Sequence, residues 1–239
     1  MARRVPNASH PIHRWRARTS RYPLCVDATF DALARDGFVL LRDAWRAETD
    51  LLALARRLGV PKPPRPGRAV VRVLTPEDAN PARANTLTGR YGSGAFPLHT
   101  EAAFWRTPPR FVLLACDTAG AGERPTLLCE LPGALAALDA VLRRVPWLVD
   151  ARPRFLANVI TAATDGARYR LDLDCMAPAS AETVAVVPLV RAAVSASPAI
   201  RIEWARGDVA IVDNRRVAHG RGSSGTPDVD RRLLRILIE

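Results

Sequence analysis

Four histidines occur in these 239 residues, and two of them sit where side-chain chemistry is concentrated. His99-Thr100-Glu101 sets an imidazole and a carboxylate two residues apart. His219 follows 120 residues later, with Arg231 twelve residues beyond it. Two imidazole nitrogens and one carboxylate oxygen on a single ion fill half of an octahedron and leave the rest open, the facial arrangement that suits ferrous iron and oxygen chemistry. If the backbone at 99–101 is extended, side chains two apart point the same way, so one strand or strand exit can supply both donors. Pro97 just before them favours an extended approach. Gly220 and Gly222 beside His219 allow backbone shapes that other residues resist. Arg231, Leu233 and Arg235 share one face of a C-terminal strand by alternation. An arginine on a largely apolar strand is costly to bury unless an anion meets it, and a guanidinium grips a carboxylate with two prongs. Taken singly, the H-x-E pair and a histidine beside a glycine have plainer readings as turn residues. Together with Arg231 they describe an ion site and an anion receptor.

The elements that must hold these residues are mostly short strands. A helix is predicted over 28–35, ending at Gly37, then a strand Phe38–Leu41 and a helix over 47–58 with Leu51, Leu54, Ala55 and Leu58 at helical spacing. Four prolines in 61–67 exclude regular structure there. A strand is read at 69–74, and then a long polar loop over 75–97, of the length that usually covers a site. Strands follow at 111–116, 126–129, 155–161, 169–173, 200–204, 209–213 and 232–238. Helices are expected at 132–145 and 181–195, with Pro188 kinking or splitting the second. Many short strands with few helices predict a mainly β fold with flanking helices, a double-stranded β-helix or jelly roll.

Length and composition set limits. One domain over residues 23–239 is expected, preceded by a basic N-terminal arm at 1–22 that contains His10, His13 and Arg14-Trp15-Arg16-Ala17-Arg18. Hydrophobic residues make up 48% and charged residues 25%, an ordinary globular balance. No apolar run is long enough to span a membrane, and the arm lacks the apolar segment of a secretory signal. The net charge of +11 rests on arginine, since Lys62 is the only lysine. Only the arm interleaves arginine with an aromatic residue, so nucleic acid is not an expected partner. Acidic small molecules fit the sign of the charge. Cys25, Cys116, Cys129 and Cys175 show no C-x-x-C spacing and read as buried free thiols in a reducing cytoplasm.

Phe96-Pro97-Leu98-His99-Thr100-Glu101 followed by Thr107-Pro108-Pro109-Arg110 resembles the Fe(II)/2-oxoglutarate dioxygenases of the taurine dioxygenase and clavaminate synthase-like group. So do Gly207-Asp208 to Asp213-Asn214, His219-Gly220-Arg221, and the closing Asp230-Arg231-Arg232-Leu233-Leu234-Arg235. The resemblance runs from about residue 90 to the C-terminus with a weak middle. It implies that His99, Glu101 and His219 hold Fe(II), that Arg231 binds the distal carboxylate of the cosubstrate 2-oxoglutarate, and that Thr126 also touches it. O2 is the oxidant. Arg235 stands where clavaminate synthase-like amino-acid hydroxylases place an arginine near a substrate carboxylate. A glutamate ligand, where the taurine branch has aspartate, directs the expectation to hydroxylation of a free or carrier-bound amino acid in specialised metabolism. Other small molecules (a sulfonate or an aryl acid), desaturation or ring closure, and a jelly-roll binding module without turnover are the alternatives. Arg90, Tyr91 and Phe96, in the loop before the metal motif, are candidate substrate contacts. Phe104 and Trp105 either contact substrate or fill the barrel. For Arg221, pocket and solvent both stay open.

Overall fold

The computed structural model describes residues 18–19, 26–77, 86–224, 226 and 228–239. His10, His13, Cys25 and most of the arm lie outside these residues. Within the arm, Arg18–Thr19 pairs in parallel with the strand Phe38–Arg42.

Two sheets face each other. The larger runs in the order Arg18–Thr19, Phe38–Arg42, Val209–Asp213, Phe111–Thr118, Arg232–Ile238 and Pro61–Lys62, with Arg72–Leu74 also paired to Arg232–Ile238. The smaller runs Ile200–Ile202, Thr126–Glu130, Val217–Arg221, Phe96–His99. All pairings but that of Arg18–Thr19 are antiparallel. Strand alternation explains the layering. Val209 and Ile211, with Leu113, Leu234 and Ile236, turn outward to a core shared with the helices Val26–Asp36 and Glu48–Leu58. Their neighbours Ala210 and Val212 turn inward and meet Leu128, Ile202 and Val217 of the smaller sheet. The expected mainly β jelly roll with flanking helices is the architecture found. A third core, containing Leu131, Leu135, Leu142, Trp147, Val186 and Val190, lies beneath the small sheet Met176–Pro178, Trp147–Val149, Phe155–Ala157 and the helix Ala181–Ala196.

Several elements differ from the sequence reading. The stretch 75–97 carries a short helix, Leu87–Tyr91, and its end is the edge strand Phe96–His99. Thr86 caps that helix by accepting from Gly89 N at 3.0 Å. Pro61–Lys62 does pair, at a sheet edge where a missing N–H costs nothing. The strand expected at 69–74 begins only at Arg72. The strand expected over 155–161 splits: Phe155–Ala157 pairs with Trp147–Val149, while Ile160–Ala163 forms a hairpin with Gly166–Tyr169. The helix expected over 132–145 breaks into Leu131–Ala134, a 3-10 turn Ala136–Leu138, and Asp139–Arg144. Its apolar spacing survives the breaks because Leu131, Leu135 and Leu142 enter one core. Pro188 does not split the helix Ala181–Ala196. The carbonyl deprived of a donor belongs to Val184, which is exposed, so water can reach it.

Candidate functional site

His99 ends the edge strand Phe96–His99, and its partner across the ladder is His219. The ring centroids are 4.6 Å apart. A bulge between His219 and Arg221 bends the seam at this point. His219 therefore lies within the strand Val217–Arg221. The chain then turns out of the sheet and brings the Glu101 carboxylate to 3.6 Å from His219 Nε2. One donor atom from each of His99, Glu101 and His219 lies within 4.8 Å of the others, and all three residues are buried.

Glu101 is held from both ends. Its N–H donates to Asn214 Oδ1 at 2.6 Å, and Asn214 Nδ2 donates to the carbonyls of Glu101 and Pro109, each at 3.0 Å. The carboxylate accepts from Arg235 Nη1 at 2.8 and 2.9 Å. Arg235 reaches it because Arg235 and Leu233 face inward, while Leu234 and Ile236 face the helices. Ala102, next in the chain, has φ of 52°, a left-handed conformation that the Asn214 clamp must sustain.

The electrostatics suit a cation. Burial, then the neighbouring His219, pushes the His99 imidazole down to about 4, so it is neutral near pH 7. His99 Nδ1 lies 3.1 Å from the Pro97 carbonyl, which fixes Nδ1 as the protonated nitrogen and leaves Nε2 with a free lone pair. Burial alone would raise the Glu101 carboxyl. The Arg235 guanidinium and then His219 more than reverse this and hold it well below the usual carboxylate range. Two imidazoles and an ionised carboxylate are the donor set that a divalent first-row ion takes. His219 Nδ1 and Arg235 Nε are buried without a partner among the described residues.

The second cluster lies further along the same strands. Thr126 pairs with Arg221 across the ladder, two positions from His219. Thr126 Oγ1 accepts from Trp204 Nε1 at 3.0 Å and lies 3.5 Å from Arg231 Nη2. Arg231 is buried, and its Nε has no hydrogen-bond partner among the described residues. The expected pair Thr126 and Arg231 is thus brought together. Arg221 is buried too: it donates to the carbonyls of Gly92 and Gly94 and lies over the Phe96 ring. This settles its direction as inward and ties the 86–96 segment to the sheet.

The remaining candidates divide. The Phe96 ring meets His99 edge-on at 5.6 Å. Arg90 pairs with Asp174 at 2.5 Å, and burial, with the nearby Asp174 carboxylate, raises the Tyr91 hydroxyl. Phe104 is exposed, whereas Trp105 packs with Val112, Leu114 and Leu237. Asp172 and Trp204 were not singled out by sequence, and Asn214 entered only as the end of the motif Gly207-Asp208 to Asp213-Asn214. Asp172 follows Leu171, whose N–H and carbonyl both bond Thr100, so it lies beside the His99–Glu101 turn. Burial raises the Asp172 carboxyl, and the Glu101 charge adds to that.

The family described as taurine catabolism dioxygenase TauD, TfdA matches residues 13–143 and 180–237. Among solved structures, an asparagine oxygenase in complex with Fe(II), 2S,3S-3-hydroxyasparagine and succinate superposes with a TM-score of 0.73 at 23% identity, covering 91% of this chain and 80% of that one. The non-heme iron oxygenase OrfP in complex with Fe and alpha-ketoglutaric acid gives 0.70 at 21% identity, over 90% and 80% of the two chains. A taurine dioxygenase from Burkholderia xenovorans gives 0.69 at 20% identity, over 93% and 83%. With the family matched across most of its length, the chain belongs to the TauD/TfdA family of Fe(II)/2-oxoglutarate-dependent dioxygenases.

Proposed function

We propose that this enzyme hydroxylates an unactivated C–H bond of an amino acid, free or carrier-bound, in specialised metabolism, with residues 23–239 acting as one dioxygenase domain. The observation that carries the reading is the convergence of His99, Glu101 and His219, with donor atoms within 4.8 Å of one another. In this reading those three side chains hold Fe(II), and Arg231 with Thr126 binds the distal carboxylate of 2-oxoglutarate. Iron, 2-oxoglutarate and O2 together supply the oxidising power, with succinate and carbon dioxide as coproducts.

The protein contributes position and charge. Arg235 holds Glu101 ionised and keeps a buried Nε for a substrate carboxylate. Asp172, tied to the metal turn through Leu171 and Thr100, offers the opposite charge for an ammonium group. A zwitterion matches that pair. Arg90, paired with Asp174, Tyr91, and Phe96 beside His99 are the substrate contacts this reading draws from the 86–96 segment. The asparagine and arginine derivatives bound by two of the similar structures support an amino-acid substrate. No helix among the described residues is long and apolar enough to cross a membrane. The free thiols Cys116, Cys129 and Cys175 fit a reducing cytoplasm.

The test is turnover of a panel of L-amino acids, aminoacyl carrier proteins, sulfonates and aryl acids, with Fe(II) and 2-oxoglutarate. Succinate and a product heavier by one oxygen should form with an amino-acid member. Turnover of sulfonates or aryl acids alone overturns the substrate class. Product lighter by two hydrogens overturns hydroxylation, and failure to bind Fe(II) overturns the whole reading.

A further inference from the structure

A buried knot of three arginines and one aspartate adjoins Thr126. Arg124, Arg221, Arg231 and Asp228 are all buried. Asp228 Oδ2 lies 3.9 Å from the Nε of Arg124 and 3.9 Å from the Nε of Arg231. Those distances are too long for hydrogen bonds. All three of these atoms are buried without a hydrogen-bond partner among the described residues.

The turn that carries Arg124 is locked to this knot. Gly122 N donates to Asp228 Oδ1 at 3.1 Å. Gly120, at φ of 84°, lies so close that a Cβ there would stand 1.9 Å from the same oxygen. Arg124 itself donates from Nη1 to the Gly222 carbonyl at 2.9 Å. It precedes Thr126 by two residues, the spacing that keeps side chains on one face of extended chain.

Charge accounting leaves this knot unfinished. Asp228 neutralises one guanidinium of the three, and Arg221 spends its donors on Gly92 and Gly94. Unneutralised buried cations are costly. Burial lowers the Arg231 guanidinium. An anion placed against Arg124 and Arg231 would relieve both the charge and the orphaned donors.

We propose that Arg124 is a second cosubstrate-positioning residue: with Arg231 it forms a two-guanidinium seat for the distal carboxylate, making the enzyme selective for a dicarboxylic 2-oxo acid. The proposal rests on the 2-oxoglutarate reading given above. Its test is calorimetric binding of 2-oxoglutarate and of 2-oxopentanoate, which lacks the distal carboxylate, to Mn(II)-loaded protein without turnover. Arg124→Gln keeps a donor for Gly222 but removes the charge. It should weaken 2-oxoglutarate about tenfold, as expected for a charge-assisted bond, and leave 2-oxopentanoate and Mn(II) affinity unchanged. Arg124→Lys should recover part of the loss. Equal weakening of both acids, or unchanged preference between them, makes Arg124 a structural residue and overturns the proposal. Should Arg124→Gln not fold, Arg124→Lys decides: lowered preference for the dicarboxylate supports the seat, unchanged preference refutes it. Wild-type protein that binds Mn(II) but neither acid would instead sink the cosubstrate reading itself.

Discussion

Replacing Asn214 by alanine should cost both stability and metal affinity, and the two losses can be separated. Asn214 is buried, and its side chain makes three hydrogen bonds, two of them to the backbone of Glu101. At a net worth of roughly 1 kcal/mol each, their loss destabilises the fold by about 3 kcal/mol. For a chain of this size that lowers Tm by about 6–12 °C. The Glu101 carboxylate, released from a fixed backbone, should then bind the ion roughly 10–100-fold more weakly, the usual effect of removing a group that orients a ligand. Differential scanning fluorimetry of metal-free protein measures the first loss, and Mn(II) or Fe(II) titration at a temperature where both proteins are folded measures the second. Asn158→Ala serves as control, because Asn158 bonds an exposed carbonyl of Arg143 far along the chain from the site. A lowered Tm with unchanged metal affinity would show that Glu101 does not owe its position to Asn214, or is no ligand. An unchanged Tm would refute the hydrogen-bond accounting.

His219→Ala should abolish Fe(II) binding at micromolar metal in an equilibrium titration, whereas Arg231→Ala should leave metal affinity intact and raise the 2-oxoglutarate requirement steeply in initial-rate assays. Gly220→Val should drive His99 and His219 apart, since a Cβ at 220 would stand 3.0 Å from the Phe96 carbonyl and 3.1 Å from Leu98 N; loss of metal binding in a folded variant is the readout. Thiol labelling at pH 8 should find Cys116, Cys129 and Cys175 slow in native protein and fast in denaturant. Burial raises all three, Cys116 to about 11, so the reactive thiolate is scarce. At most one fast native thiol, Cys25, is compatible with this.

Alternation and helical spacing carried far. The strands Val209–Asp213 and Arg232–Ile238 end where their apolar runs end, and the helix Glu48–Leu58 follows its leucines. The three proposed metal ligands could be read because their spacing survives in the linear order. Residues that matter through long-range contacts could not. Asn214 closed one motif of the resemblance, but its hold on Glu101 spans 113 positions. Asp172 looked like one acid among many until Leu171 was found bonded to Thr100. Arg124 stood in an ordinary polar turn, and only its burial against Asp228 distinguishes it. Strands of three residues, such as Trp147–Val149 and Met176–Pro178, carry too little periodicity to be separated from loop, and their existence depends on each other.

Among the described residues the strand Phe96–His99 has a single ladder neighbour, and one residue of that seam on each side is a histidine of the cluster. An ion shared by the two imidazoles would act as a rivet through an otherwise open hem of the sheet. Loading the metal should therefore slow amide exchange along 96–99 and 217–221 more than elsewhere. Stripping it would leave a loosened selvage, with bare N–H and C=O groups offered to any passing chain.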